Sequence, residues 1–335
     1  MKREPHPFAR FIGILGRGKT LTRSLTVEEA EDAMAMILAG QVLPEQLGAF
    51  LMLLRVKEES PEEIAGFVRA ARARLSPPLG APRVDLDWSS YAGKSRRLPW
   101  FILSALVLAR SGWRVLMHGA EAHAEGRIYT GAALQAVGVP VAASLEDAAE
   151  RLSRESFAYL PIDSLSRPIA DILELRPILG LRSPVHTLAR MLNPFGAPAM
   201  LQGVFHPGYL RIHRDAGLIL RQPRLAVFRG DGGEIERRPT KPCDVMMAID
   251  GERLDERWPP MIDEPRQTAE ESMDLSRIAG LWRGVVADPY GEAAVVGTLA
   301  IALRTLGAAE NAGDAAARAR VMWNARERNG LPAAA

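Results

Sequence analysis

The stretch Val84 to Pro99, VDLDWSSYAGKSRRLP, holds the residues whose types and spacing most readily do chemistry. It runs from an apolar start through a small turn at Ala92 and Gly93 into Lys94, Arg96 and Arg97. Pro99 then opens the apolar run WFILSALVLA. Strand, loop and helix follow one another, and in an open parallel sheet such a loop lies at the carboxyl ends of the strands, where ligands bind. Backbone N–H groups at the helix start and three nearby cations would hold a phosphate. The loop has a single glycine, which restricts how closely a pyrophosphate can approach its backbone.

A second stretch, Gly13 to Thr20, reads GILGRGKT and matches the G-x-x-x-x-G-K-T phosphate loop letter for letter. That motif works when a strand feeds the loop and a helix follows at once. Here Phe8, Phe11, Ile12 and Leu15 have helical spacing, so residues 6 to 15 form a helix, and LTRSL postpones the next one to Thr26. VMMAID, ending at Asp250, imitates the strand and aspartate that hold magnesium, but many buried strands end so. Arg17 and Lys19 are therefore read as exposed cations rather than parts of a nucleotide-hydrolase site.

These residues need elements to position them. Thr26 and Glu29 form a capping box ahead of Ala30, Ala33, Met34, Ile37 and Leu38. Pro44 opens a second helix with Leu47, Phe50, Leu51 and Leu54 on one face, and Ser60, Pro61 and Glu63 start a third. Residues 1–76 form a small helical domain, joined by a helix within about 165–192, and SPPLGAP is a linker. From 83 to 330 strands alternate with helices, which predicts an α/β domain with a mostly parallel central sheet. The expected strands are Val84–Leu86, Arg114–Met117, Ala158–Ile162, Leu201–Phe205, Leu225–Phe228 and Val245–Ile249. A helix is expected over Arg182–Leu192, and three more close the chain near Glu271–Trp282, Gly291–Leu306 and Asp314–Glu327.

Charge is segregated along the chain. Met1 to Ser24 carries six basic residues against Glu4 alone; Trp88 to Ala120 has five and no acid; Arg176 to Gly230 has eight against Asp215 alone. One positive face is the functional reading of this pattern, and separately solvated loops are the plain one. Cys243 is the only cysteine, so no intrachain disulfide forms and a reducing, cytoplasmic setting is expected. The N-terminal apolar run is too short for a signal peptide, and no stretch suits a membrane span.

The segments LTVEEAEDAMAMILAG, PEQLGAFLMLLRVK and SPEEIAGF resemble the N-terminal domain of the anthranilate phosphoribosyltransferase family (glycosyltransferase family 3), and the later order of elements fits it too. The resemblance implies dimerisation through the helical domains and, in the family's enzymes, binding of phosphoribosyl pyrophosphate and magnesium. The motifs depart from that pattern. Where the family has GTGGDG, this chain has Trp88-Ser-Ser-Tyr-Ala-Gly93; Lys-His-Gly-Asn becomes Met117, His118, Gly119, Ala120; the magnesium-binding Asp-Glu pair falls on Glu234 and Ile235. A vestigial substrate site of Gly93, His118, Gly119 and Glu234 is what the resemblance leaves. Closer similarity is to the YbiB-like branch, whose members bind nucleic acid: IGILGRGK, SYAGKSRR, LRSPVHTLARMLNPF, FHPGY and GDGGE all resemble it.

The reading is sequence-nonspecific binding of nucleic acid, DNA in the first place, by a non-catalytic homodimer without cofactor. Its phosphate contacts are Arg17, Lys19, Lys94, Arg96, Arg97, Arg182 and Arg190. Trp88 and Tyr91 either stack on bases or belong to the core. The alternative is a divergent glycosyl or phosphoribosyltransferase using magnesium, with His118 and Glu234 near its site. A third is a scaffold whose helical stripes serve assembly only.

Overall fold

The computed structural model describes residues 4–18, 20–121, 126–263 and 272–331. Four helices open the chain: α1 (Ala9–Leu15), α2 (Val27–Leu38), α3 (Pro44–Lys57) and α4 (Pro61–Arg72). Their boundaries follow local chemistry. The Thr26 hydroxyl accepts from the Glu29 amide while the Glu29 carboxylate accepts from Thr26 N–H; Ser60 and Glu63 repeat the arrangement for α4. The apolar faces meet in one core, where Phe8, Phe11, Phe50 and Phe67 stack edge to face.

Beyond the helical region strands and helices alternate: β1 (Leu86–Ser90), α5 (Phe101–Arg110), β2 (Val115–Gly119), α6 (Thr130–Ala136), α7 (Leu145–Glu155), β3 (Phe157–Pro161), then α8 (Ile162–Leu165), α9 (Arg167–Leu173), α10 (Arg176–Leu179) and α11 (Val185–Ala189). After β4 (Ala199–Val204), α12 (Gly208–Ile219), β5 (Arg224–Arg229), β6 (Cys243–Ile249) and β7 (Glu252–Trp258), the chain ends in α13 (Ser276–Arg283), α14 (Pro289–Leu306) and α15 (Ala312–Ala325). The seven strands form one sheet in the order β3-β2-β1-β4-β5-β6-β7. β3 through β5 in that order are parallel; β6 and β7 run antiparallel at one edge. The expected helical N-terminal region and mostly parallel α/β sheet are both present.

Two details differ from expectation. The segment 165–192 is not one helix. Pro168, Pro177 and Pro184 each start a new short turn, and Gly180 leaves α10 at φ +72°. β7 lies outside the expected strands. Its sequence ERLDERW reads as a solvated, charged run, and as an edge strand it presents those charges to water, which discourages pairing with another chain.

Each sheet face is covered. Trp88, Leu201 and Phe228 lie beneath α5 and α14, whereas Leu116, Leu160 and Val227 face the helical region. Chain order reverses between β1 and β4, its neighbour on the side away from β2, so the carboxyl ends of β1 and β4 mark the switch point where open α/β sheets hold ligands. Among the described residues no helix is long and apolar enough to cross a membrane.

Candidate functional site

The loop leaving β1 is built around Gly93, whose φ of +66° and close packing on the Tyr129 ring exclude a side chain. Two successive amides, Ala92 N–H and Gly93 N–H, converge on one oxygen of Glu234, at 2.9 and 2.8 Å. The other Glu234 oxygen accepts from Ile235 N–H at 3.1 Å, and the side chain is buried. Paired loop amides of this kind make a concave anion seat. Here the seat is taken by the chain's own carboxylate. Gly230 permits it: a Cβ there would lie 1.5 Å from the Glu234 carbonyl oxygen.

Lys94 corrects a sequence expectation. Its side chain turns inward, 1% exposed, and its ammonium is held between Asp231 and Glu236. It offers no cation to a phosphate at the surface, because two carboxylates already neutralise it. Glu236 also accepts from Phe101 N–H at 3.0 Å, capping the start of α5, which lacks a capping side chain of its own. Burial pushes the Glu236 carboxyl up to about 7, against the opposing pull of Lys94. Asp231 is desolvated too, but the Lys94 charge wins and holds it below its ordinary value. One ammonium between two carboxylates thus keeps the nearer-surface acid ionised, while the deeper one holds a proton more readily.

Arg97 is likewise mostly covered, its guanidinium 3.5 Å from the Tyr290 ring centroid. Of the three basic loop residues only Arg96 is exposed. Arg17 is exposed beyond the end of α1, and the expectation for Lys19 falls outside the described residues. The preceding residues are helical, so GILGRGKT is not fed by a strand.

His118, on β2, is fully buried between Tyr91 Oη at 2.8 Å and Asp87 Oδ2 at 3.3 Å. Gly119 packs against the Ser90 carbonyl, where a Cβ would come within 1.9 Å. Trp88 and Tyr91 are core residues rather than stacking platforms.

Arg182 and Arg190 do come together, in a cleft of about 110 Å³ that runs from α3 past α12 to the end of β4. Arg190 is buried, donating to the Gly203 and His186 carbonyls, and burial lowers its pKa. Burial and then the charges of Arg190, Arg176 and Arg127 depress Arg182 to about 10. Sequence reading missed Arg55, which donates to Tyr209 Oη at 2.8 Å, and Arg127, which donates to the Ala92 and Gly93 carbonyls at 2.9 Å. Both stand outside the basic segments, so charge runs did not flag them. Desolvation holds His213 down to about 3, so it lines the cleft as a neutral ring whose Nδ1–H donates to Gln202 Oε1 at 2.6 Å.

Comparison with known proteins places this architecture. Residues 10–75 match the helical bundle domain of a glycosyl transferase family. Over 231 residues, 68% of this chain and 69% of the relative, the sequence is 33% identical to the anthranilate phosphoribosyltransferase of Oleidesulfovibrio alaskensis. The chain belongs to the anthranilate phosphoribosyltransferase superfamily. Within that superfamily it is also 28% identical, over 74% of its length and 78% of the relative's, to the uncharacterized protein YbiB of Escherichia coli strain K12. The fold matches anthranilate phosphoribosyltransferase from Thermus thermophilus, with TM-score 0.78, 24% identity and coverage of 95% and 94%. The Saccharomyces cerevisiae superfamily member in complex with PRPP and Mg matches at TM-score 0.77, 15% identity and coverage of 96% and 94%.

The magnesium that the superfamily implies does not fit the residues present. Glu234 spends both oxygens on backbone amides, Ile235 beside it has no ligand atom, and Asp231 and Glu236 are tied to Lys94. Among the described residues no cluster of three His, Cys, Asp or Glu side chains is arranged for a metal. A hard cation needs several free oxygens, and these are committed elsewhere.

Proposed function

We propose that this protein binds nucleic acid, DNA in the first place, through the phosphate backbone, as a non-catalytic superfamily member. The observation that supports this best is Arg182. It is a half-buried guanidinium with no carboxylate partner among the described residues, and the charges that lower its pKa are those of Arg190, Arg176 and Arg127. Holding like charges together in a desolvated cleft costs free energy that a polyanion offsets. Exposed Arg17 and Arg96 add cations to which phosphates can bind with release of counterions. The resemblance to the YbiB-like branch points the same way. Glu234, seated on the loop amides, argues against a bound pyrophosphate and so against cofactor use.

In this reading the protein acts as a cytoplasmic homodimer. Leu21, Leu43 and Val56 in the helical region are large apolar side chains left exposed, and burying them against a second copy would remove that surface from water. The test is anisotropy of labelled single-stranded and duplex DNA across a salt series, run beside an assay with anthranilate, phosphoribosyl pyrophosphate and magnesium. A linear fall of log affinity with log salt and no product is the expected result. Absence of DNA binding, or magnesium-dependent turnover, overturns it. Turnover would promote the transferase reading, which the 33% identity to an anthranilate phosphoribosyltransferase favours.

A further inference from the structure

We propose that the cleft between α3, α12 and the end of β4 holds the terminal phosphate monoester of a nucleic-acid strand, an inference that rests on the nucleic-acid reading above. The cleft, about 110 Å³, has room for a phosphate group and several waters and is too small for a duplex. Val204 and His213, both buried, are part of its lining.

The lining has the chemistry of a phosphate site. Arg55, Arg182 and Arg190 supply guanidiniums, whose planar forks suit phosphate oxygens. Ser183 is 6% exposed, and its Oγ has no hydrogen-bond partner among the described residues. A buried hydroxyl without a partner carries a desolvation cost that an incoming oxygen relieves. Glu59 is the one acid lining the cleft among the described residues. Its carboxylate accepts from Thr187 Oγ1 at 3.2 Å and lies against the Tyr209 hydroxyl, whose pKa burial and then this charge raise. At the mouth Phe205 is 46% exposed, with its ring edge-on to His206, and offers a face on which the terminal base can stack.

A monoester carries about 1.5 to 2 negative charges at neutral pH against one for an internal diester, so strand ends are preferred. Free nucleotides share that chemistry, and the experiment separates the two sources. Affinities are measured for one single-stranded oligonucleotide with a 5′-phosphate, a 3′-phosphate or hydroxyl ends, and for a mononucleoside monophosphate and inorganic phosphate as competitors. At least one phosphorylated end is expected to bind about tenfold tighter than the hydroxyl-ended strand, the value of one charge-assisted contact. Ser183→Ala is expected to shrink that ratio severalfold, and Arg182→Gln to bring it near one, with circular dichroism and melting temperature confirming that both variants fold. Equal affinity for all ends, in a protein that still binds DNA with a salt slope, overturns this proposal and leaves the nucleic-acid reading standing. Arg182-dependent binding of the mononucleotide without binding of any strand overturns both and assigns the cleft to a small phosphorylated ligand.

Discussion

The Glu234 carboxylate receives the Gly93 amide at 2.8 Å and thereby fills the anion seat of the loop after β1 from within the chain. Its removal leaves three buried N–H groups, those of Ala92, Gly93 and Ile235, without that acceptor. Glu234→Ala is expected to cost about 2 kcal/mol or more in chemical denaturation, since each orphaned buried donor costs roughly 1–3 kcal/mol. Pyrophosphate should then raise the melting temperature of the variant by more than that of the native protein. A variant as stable as the native protein would mean that the seat does not need its anion.

Lys94 gives a second contrast. Lys94→Met strands Asp231 and Glu236 as buried, mutually repelling acids, with an expected loss of about 3–5 kcal/mol. Arg96→Glu, on the same loop but exposed, should change stability by less than about 0.5 kcal/mol. Equal losses in thermal denaturation would contradict the buried placement of Lys94.

The pH dependence follows from Glu236. Its folded value of about 7 lies above its ordinary value, so the folded chain holds a proton that the unfolded chain has already released. The stability contribution is complete below the ordinary carboxyl value near 4.5 and is lost as pH rises toward about 7. Native stability should therefore decline between about pH 5 and 7.5, by up to about 3 kcal/mol from this group. Glu236→Gln should flatten that decline; a difference curve without slope would remove Glu236 as its source.

Loop cations should separate by role. Arg96→Glu is expected to lower the salt slope of DNA binding by about 0.9 on duplex or about 0.7 on single strands, with the melting temperature unchanged. Arg97→Glu loses the Tyr290 stack and should lower the melting temperature instead. Reversed outcomes in the same two titrations would exchange their assignments.

For assembly, Val56→Asp together with Leu43→Asp should yield a monomer by light scattering at micromolar concentration, with the fold retained. Phe50 is unsuited to that test. It is fully buried between Phe8 and Phe67, so Phe50→Asp should unfold the helical core rather than separate one copy from another. A native protein already monomeric under these conditions ends the dimer proposal.

Much of the fold was legible from local chemistry. Capping boxes at Thr26 and Ser60, prolines at the starts of α3 and α4, and β-rich runs between helices each act over a few residues, so the chain itself specified the helical region and the parallel α/β order. The break-up of 165–192 was also written in Pro168, Pro177, Gly180 and Pro184. Charge direction was not legible. Lys94 and Arg96 stand two residues apart in one basic run, yet one is sealed by acids 137 and 142 residues away while the other meets solvent. Glu234 reaches the Gly93 amide across 141 residues, and Arg55 joins Arg182 and Arg190 only because the fold brings α3 to the same cleft. Sequence spacing determines which residues share an element. Only the tertiary structure decides which charges are desolvated and which partner neutralises them, because desolvation and Coulomb attraction depend on distance through space rather than along the chain.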